Sequence, residues 1–512
     1  MSSSAPATTR PRRPALPWLV VGALLFGLAA LWALAIPPMA SPDEPSHVVK
    51  AAAVARGQLF GTPNKVAESA DRPGAGTLVR LPSDFAAALA LPNCFAFDSH
   101  QPADCQDAHL PPADGTVLVE TFAGQYPPLY YALVGWPSLF LSAGPSIIAM
   151  RLVSAALSAT FLAWGGYRLS RLRGNRSGLW GMSVALTPMC LFLAGTVNPS
   201  GFEIAAAFSF WAACLVLVSR DGPVSTAALV QAVASGAVLL NVRATGPVWL
   251  LGILVVALVA APRGRVREIV RLPSARWLGA VALLAVLAAL AWTVTHGSVV
   301  TTHGLYPQYA NLKTALFGIL GFGFSYLQNM IGNFGWLDAP APAVTFVAWY
   351  VLLGAIAIPA FSAARQVKAR LALAIGVVGA AAAPVILQLP TAADAGLIWQ
   401  GRYVLPLAIG LPVLAALVLA VDGSEGGDAH RRVARASVPV VLVAQVAAFF
   451  WAARRYAVGL DGEIVTLHPD WESPIGYLPG VALYAVVATP LAWLLWRYYR
   501  PTTAETSPAA TD

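Results

Sequence analysis

The sequence predicts an all-α, polytopic integral membrane protein with about 12 transmembrane helices, and three observations carry that prediction. Of its 512 residues, 57% are hydrophobic and only 11% are charged, with a mean hydropathy of +0.66. A soluble domain carries about 25% charged residues. Apolar runs of about 20 residues, each long enough to cross about 30 Å of hydrocarbon, recur along the chain. The basic residues collect in short clusters between alternate runs, as the positive-inside rule requires of cytoplasmic loops. That clustering also excludes a nucleic-acid role for the formal charge of +8.

A Ser/Ala/Pro-rich tail, residues 1–14, carries Arg10, Arg12 and Arg13. The first span follows over 15–36, and the lack of a small-residue cleavage site before Pro37 reads as an uncleaved anchor. Residues 37–126 are too polar to cross a membrane and form a large first extracytoplasmic loop. Its opening part, 47–59, has the apolar spacing of an amphipathic helix lying along the interface. The middle, rich in Pro, Gly, Asp and Ser, reads as irregular loops. Cys94 and Cys105 fall here and suit a disulfide in an extracytoplasmic compartment. They fit a metal pair less well, because no second Cys or His pair stands at ligand spacing.

Residues 127–142 are too short to span and read as an interfacial helix. Further spans are predicted near 147–169, 179–197, 202–219, 226–242, 246–262, 277–295, 342–362, 371–389, 402–421, 437–453 and 477–496. The glycine-rich run 312–336, interrupted by Gln328, Asn329 and Asn333, reads as a re-entrant or interfacial pair of helices. The tail 499–512 reads as disordered. With this alternation, 21 of the 32 basic residues and 7 of the 24 acids are cytoplasmic. Both termini are then inside a bacterial inner (plasma) membrane.

The same topology brings most polar groups at span ends to the outer side. Asp43, Glu44 and His47 stand in Pro42-Asp43-Glu44-Pro45-Ser46-His47, after the first span. Arg151 opens the second span, Asn198 and Glu203 lie at the next outer turn, and Arg243 closes the fifth. Asp338 precedes the eighth, and Arg402 with Tyr403 opens the tenth. Each has a plain reading alone: an arginine snorkels, Asp338 caps a helix, Glu203 pairs with Arg151. Ionisable groups near hydrocarbon are costly, however, and their grouping points to a shared polar cavity. Guanidiniums grip phosphate and a carboxylate serves as general base, which suits a polyprenyl-phosphate sugar.

Asp43-Glu44 in the first outer loop, Tyr126-Pro127-Pro128-Leu129 and Arg151-Leu152 resemble the early region of the GT-C superfamily of membrane glycosyltransferases. The ordered set Pro42–His47, Gly335-Trp336-Leu337-Asp338 and Gly401-Arg402-Tyr403 resembles bacterial membrane proteins of the domain of unknown function 2142 family. Asn198-Pro199-Ser200-Gly201 is similar to an Asn-Pro-Asp segment of that family, with Ser200 in place of the acid.

The resemblance implies inverting transfer of a sugar from a polyprenyl-phosphate donor to a cell-envelope glycan acceptor. Asp43 is the first candidate for base and Glu44 the second. Arg243 and Arg402 are candidate phosphate ligands, with Arg151 third. His47 orients a carboxylate or the acceptor, Asp338 meets a sugar hydroxyl, and Tyr126, Asn198, Glu203 and Tyr403 complete the substrate-binding set. No cofactor is required; Asp43, Glu44 and His47 are nonetheless competent ligands for a divalent metal. A transporter or flippase, or a polymerase or ligase of lipid-linked glycans, is the alternative use of such a cavity.

Overall fold

The computed structural model describes residues 17–64, 76–107, 109–172, 175–219, 222–296, 306–363, 367–421 and 428–499. The tail 1–14, residues 500–512, and Arg173, Arg220 and Arg365 of the basic clusters lie outside the described residues.

Helix α1 (Trp18–Ala35) is apolar throughout, and Pro37 and Pro38 bar its continuation. Helix α2 (Glu44–Ala55) opens the first loop. Far from lying on an interface, α2 is enclosed: Val48, Val49, Ala51, Ala52 and Ala53 have no exposed surface. The cover is a small antiparallel sheet of β1 (Thr62–Pro63), β2 (Thr77–Pro82) and β3 (Thr116–Thr121), in that order, with α3 (Ser83–Ala88) between the last two. The composition of this stretch argued for irregular loops, but Val79, Leu81 and Val119 point inward in register and pack in one core with Val48 and Val49. Period-2 alternation against a buried helix outweighs the turn-forming residues around it. Lys50 of α2 is sealed inside, donating to the carbonyls of Leu59 and Gly124, each at 2.6 Å.

Helix α4 (Leu129–Val134) and a 3-10 turn over Trp136–Leu139 follow, with Trp136, Leu139, Phe140 and Leu141 exposed as an apolar edge. The bundle continues with α5 (Ala143–Leu169), α6 (Asn175–Ala185), α7 (Pro188–Ala194), α8 (Pro199–Leu217), α9 (Thr226–Val242) and α10 (Gly246–Ala260). Next come α11 (Arg265–Val270), α12 (Ala275–His296), α13 (Leu312–Gly321) and α14 (Gly323–Ile331). A hairpin of β4 (Asn333–Phe334) and β5 (Ala339–Pro340) leads to α15 (Ala343–Ala363) and α16 (Val367–Gln388). The chain ends with α17 (Ala392–Ala395), α18 (Leu405–Ala408), α19 (Leu411–Val421), α20 (Asp428–Val458) and α21 (Tyr477–Tyr498).

Among the described residues nine helices are long and apolar enough to cross a membrane. The pair α6–α7, bent by 71°, and the shorter apolar helices α9 and α10 account for the other runs read from the sequence. Pro188 causes the bend, since it lacks the N–H that would continue α6. Helix α8 is buried almost throughout and forms the axis of the bundle, whereas α12 shows Leu283, Leu284, Leu287 and Leu290 to the surroundings. The 312–336 run is two helices of 10 and 9 residues, neither long enough to span.

The loop domain is fastened to the bundle by a residue that no motif marked. Arg455, fully buried near the end of α20, donates to the carbonyls of Phe95, Asp98 and Gln101 at 2.6–2.7 Å. It also pairs with Asp338 Oδ2 at 2.7 Å. Cys94 and Cys105 are joined by a disulfide across the same stretch. Arg455→Met would strand the Asp338 carboxylate and three carbonyls, a loss of about 3–5 kcal/mol. The variant should therefore melt lower and expose the 83–107 segment to protease; an unchanged melting curve and digest would contradict this anchoring role.

Candidate active site

The turn between α1 and α2 is held by a buried ion pair. Arg151 Nε and Nη2 donate to Glu44 Oε1 and Oε2 at 2.7 and 2.5 Å, and both side chains are wholly inaccessible. The remaining guanidinium hydrogens go to the carbonyls of Ala33, Ile36 and Pro37 at 2.8–2.9 Å. Glu44 also accepts from the Val197 backbone N–H at 3.0 Å. Asn198, the N-cap of α8, accepts from Ser200 N and donates to the Pro42 carbonyl, each at 2.9 Å. Glu44, Arg151 and Asn198 therefore hold the loop in shape, and the first two have no surface open to a substrate.

Asp43 is turned the other way. Its backbone adopts φ 61°, a left-handed conformation uncommon for a non-glycine residue. Its side chain is 53% exposed while its partner Arg402 is 2% exposed, with Arg402 Nη2 to Asp43 Oδ2 at 2.8 Å. Arg402 Nε and Nη1 are buried and meet no acceptor among the described residues. Gly401 lets this segment pack closely on Tyr326 of α14: a Cβ there would stand 1.8 Å from the Tyr326 carbonyl oxygen.

Arg243, extended at the end of α9, donates to Ser200 Oγ at 3.0 Å and to Glu203 Oε2 at 3.3 Å. Thr245 donates to the other oxygen of Glu203. Glu203 thus pairs with Arg243, not with Arg151. Both guanidiniums flank one ring, Arg243 lying 4.7 Å and Arg402 5.1 Å from the centre of Tyr403, with the Tyr126 ring centre 5.8 Å from Arg243. Asp43, His47, Tyr126 and Tyr403 open onto a cavity of about 1010 Å³. Asp338 does not: its oxygens are taken by Arg455 and by the Trp336 backbone N–H at 3.0 Å, so a sugar hydroxyl finds no acceptor there.

His47 bonds through Nδ1 to the Tyr131 hydroxyl at 2.9 Å and lies edge-on to Tyr126. Burial takes its pKa down to about 3 from 6.5, against the pull of Asp43 and with the help of Arg243 and Arg402. Among the described residues no three His, Cys, Asp or Glu side chains gather as a metal would require. Glu44 is spent on Arg151 and His47 on Tyr131, so Asp43, Glu44 and His47 do not form a ligand set.

The unfolded chain takes up a proton at His47 below about pH 6.5, whereas the native chain holds it off until about pH 3. The associated stability is complete above pH 6.5 and is lost as the pH falls through that window. Melting temperatures compared between about pH 7 and pH 5 should thus fall more for the wild type than for His47→Gln. Equal losses in the two proteins would contradict the neutral, buried imidazole.

Solved structures similar to the chain include two of one protein. One is ArnT from Cupriavidus metallidurans bound to undecaprenyl phosphate, at 14% identity and a TM-score of 0.43, with 95% of this chain and 77% of that chain covered. The other is ArnT from the same organism in the apo state, at 15% identity and a TM-score of 0.43, covering 94% and 76%. No curated protein matches the sequence. The model of the family described as "Predicted membrane protein (DUF2142)" matches residues 25–411, well over half of the chain, and the protein belongs to that family.

Proposed function

We propose that this protein is a membrane glycosyltransferase. It moves a sugar from a polyprenyl-phosphate donor to a cell-envelope glycan on the extracytoplasmic face of the bacterial inner membrane, with inversion and with Asp43 as general base. The observation that carries the reading is the Asp43–Arg402 pair: an accessible carboxylate at a cavity wall, backed by a buried guanidinium with two donor nitrogens unmet. The resemblance of the Asp43-Glu44 loop to the acidic motif of GT-C enzymes supports it.

The chemistry follows from the charges. The donor is a phosphodiester with one negative charge, and the departing polyprenyl monophosphate has two. The acceptor hydroxyl oxygen attacks the anomeric carbon from the side opposite the phosphate, and its proton passes to Asp43. The bond from the anomeric carbon to the phosphate oxygen breaks, its electron pair leaving with the phosphate. Protonation removes the charge that Asp43 presents to Arg402. The guanidinium then turns its full charge, and the idle Nε and Nη1, on the phosphate as the second negative charge develops. Arg243, balanced by the fully buried Glu203, holds the donor phosphate beforehand. His47, neutral and fixed by Tyr131, fixes the orientation of the acceptor next to Asp43.

Asp43→Asn keeps the shape and removes the base, a loss of about 10²–10⁴ in rate. Membranes containing this variant at wild-type abundance, given a panel of polyprenyl-phosphate sugars, should yield almost no glycosylated product. Glu44→Gln should act instead on yield of folded protein. Transfer by Asp43→Asn at the wild-type rate would overturn the assignment of the base.

A further inference from the structure

The mechanism above occupies one end of the bundle, and a second cavity lies towards the other. It is a narrow cleft of about 90 Å³ between α1, α6, α20 and α21. Along α1 its wall runs from Trp18 to Leu28, in the part of the helix away from Asp43. The break between α6 and α7 borders it, with Leu186 and Leu191 on either side of the bend and both on the wall. Three polar side chains of the lining are already bonded. Gln445 donates to the Leu186 carbonyl at 2.8 Å and accepts from the Tyr484 hydroxyl at 3.3 Å, and Ser183 donates to the Trp180 carbonyl at 2.8 Å. The rest is almost entirely carbon. A ligand rich in hydrogen-bonding groups would shed water there without compensation, whereas a hydrocarbon chain suits the wall.

Beyond Val438 and Leu495, at the end of the cleft that Trp18 marks, the chemistry changes. Arg435 stands one turn before Val438 on the same face of α20. Its guanidinium lies 3.9 Å from the centre of the Trp496 ring on α21, so it bridges two of the helices that form the cleft. Arg497 lies 4.6 Å from the centre of the Trp493 ring. Neither arginine has a hydrogen bond or ion pair with a described residue. A guanidinium stacked on a ring keeps its N–H edges for an anion. An arginine that merely snorkels extends into water, but Arg435 is half-buried against its ring. Neither α20 from Arg431 onward nor α21 contains an acidic residue, so this end is uniformly positive.

We infer that the cleft and its two arginines bind one anionic phospholipid of the leaflet opposite Asp43. One acyl chain lies in the cleft, and the phosphate meets Arg435 and Arg497. The length fits a single leaflet: ten residues of α1 from Trp18 to Leu28 rise about 15 Å, half of a hydrocarbon core of about 30 Å. The charge fits an anionic headgroup, which two bare guanidiniums favour over a zwitterionic one. The site stands apart from the transferase reading and does not depend on it. Helix α20 also carries Arg455, so a lipid that joins α20 to α21 and α1 steadies the element to which the loop domain is fastened.

The test is native mass spectrometry of the purified full chain in detergent, titrated in turn with phosphatidylglycerol, phosphatidylcholine and glycerol phosphate, the last carrying the anion without chains. The wild type should hold one phosphatidylglycerol about tenfold more tightly than phosphatidylcholine. Glycerol phosphate should neither bind measurably nor displace it. The double variant Arg435→Gln with Arg497→Gln should bind the two lipids equally, and Ala488→Leu, which adds bulk to the wall, should weaken both. A phosphatidylglycerol with a photoreactive diazirine in its acyl chain, used on the wild type, should label peptides within 179–191, 438–445 or 484–495. That arm decides the chain's position even where Ala488→Leu does not fold. Equal binding of the two lipids by the wild type, or a preference that survives the double variant, would overturn the site. So would undiminished binding by folded Ala488→Leu, displacement by glycerol phosphate, or label confined to other peptides.

Discussion

A carboxylate and a guanidinium enclosed together, Glu44 with Arg151, set the geometry on which the rest of the loop end depends. Burying two charges costs several kcal/mol per ion before any gain. Here the cost is offset by bidentate contact and by three carbonyls at the end of α1, which would otherwise lose their partners when the helix stops. An apolar pair of the same volume could not replace it, because the carbonyls of Ala33, Ile36 and Pro37 and the N–H of Val197 would remain unmet. With that turn pinned, the residue before Glu44 must reverse direction. Asp43 does so in the left-handed region and leaves its carboxylate at the cavity wall.

On the proposed reading, the Pro-Asp-Glu-Pro sequence divides its two acids between architecture and chemistry. The division continues across the loop end. Glu203 and Arg243 form a balanced pair beside Tyr403, and Asp43 and Arg402 form a second, which the proposed proton transfer to Asp43 would unbalance. A charge that appears on the protein only when the acceptor gives up its proton is a better catalyst than one fixed in advance. On the proposed reading, a fixed charge would also hold the donor's single negative charge in the ground state, and that part of its attraction would not lower the barrier.

Much of this was legible in the sequence, because hydropathy is a local property. Every predicted span corresponds to one apolar helix or a pair of them, although the run 179–197, expected as a single span, bends by 71° before Pro188. The gathering of Asp43, Arg243, Arg402 and Tyr403 at one end followed from topology alone. What escaped was anything decided by a distant partner. Asp43 and Glu44 are chain neighbours, and only Arg151, 107 positions on, separates their fates. Asp338 looked available because Arg455, 117 positions away, carries no motif. A basic residue near the polar end of an otherwise apolar helix was the one available signal for it. The sheet over α2 was hidden because proline and glycine dominate its connections, while Val79, Leu81 and Val119 form too short an alternation to stand out.

The most direct measurement is a structure of the full chain with a polyprenyl phosphate bound. The account predicts the phosphate within hydrogen-bonding distance of Arg402 Nε or Nη1 and beside Arg243, next to the Asp43 carboxylate, with the Glu44–Arg151 pair unchanged. A phosphate seated away from both arginines, with Asp43 facing empty solvent, would contradict it.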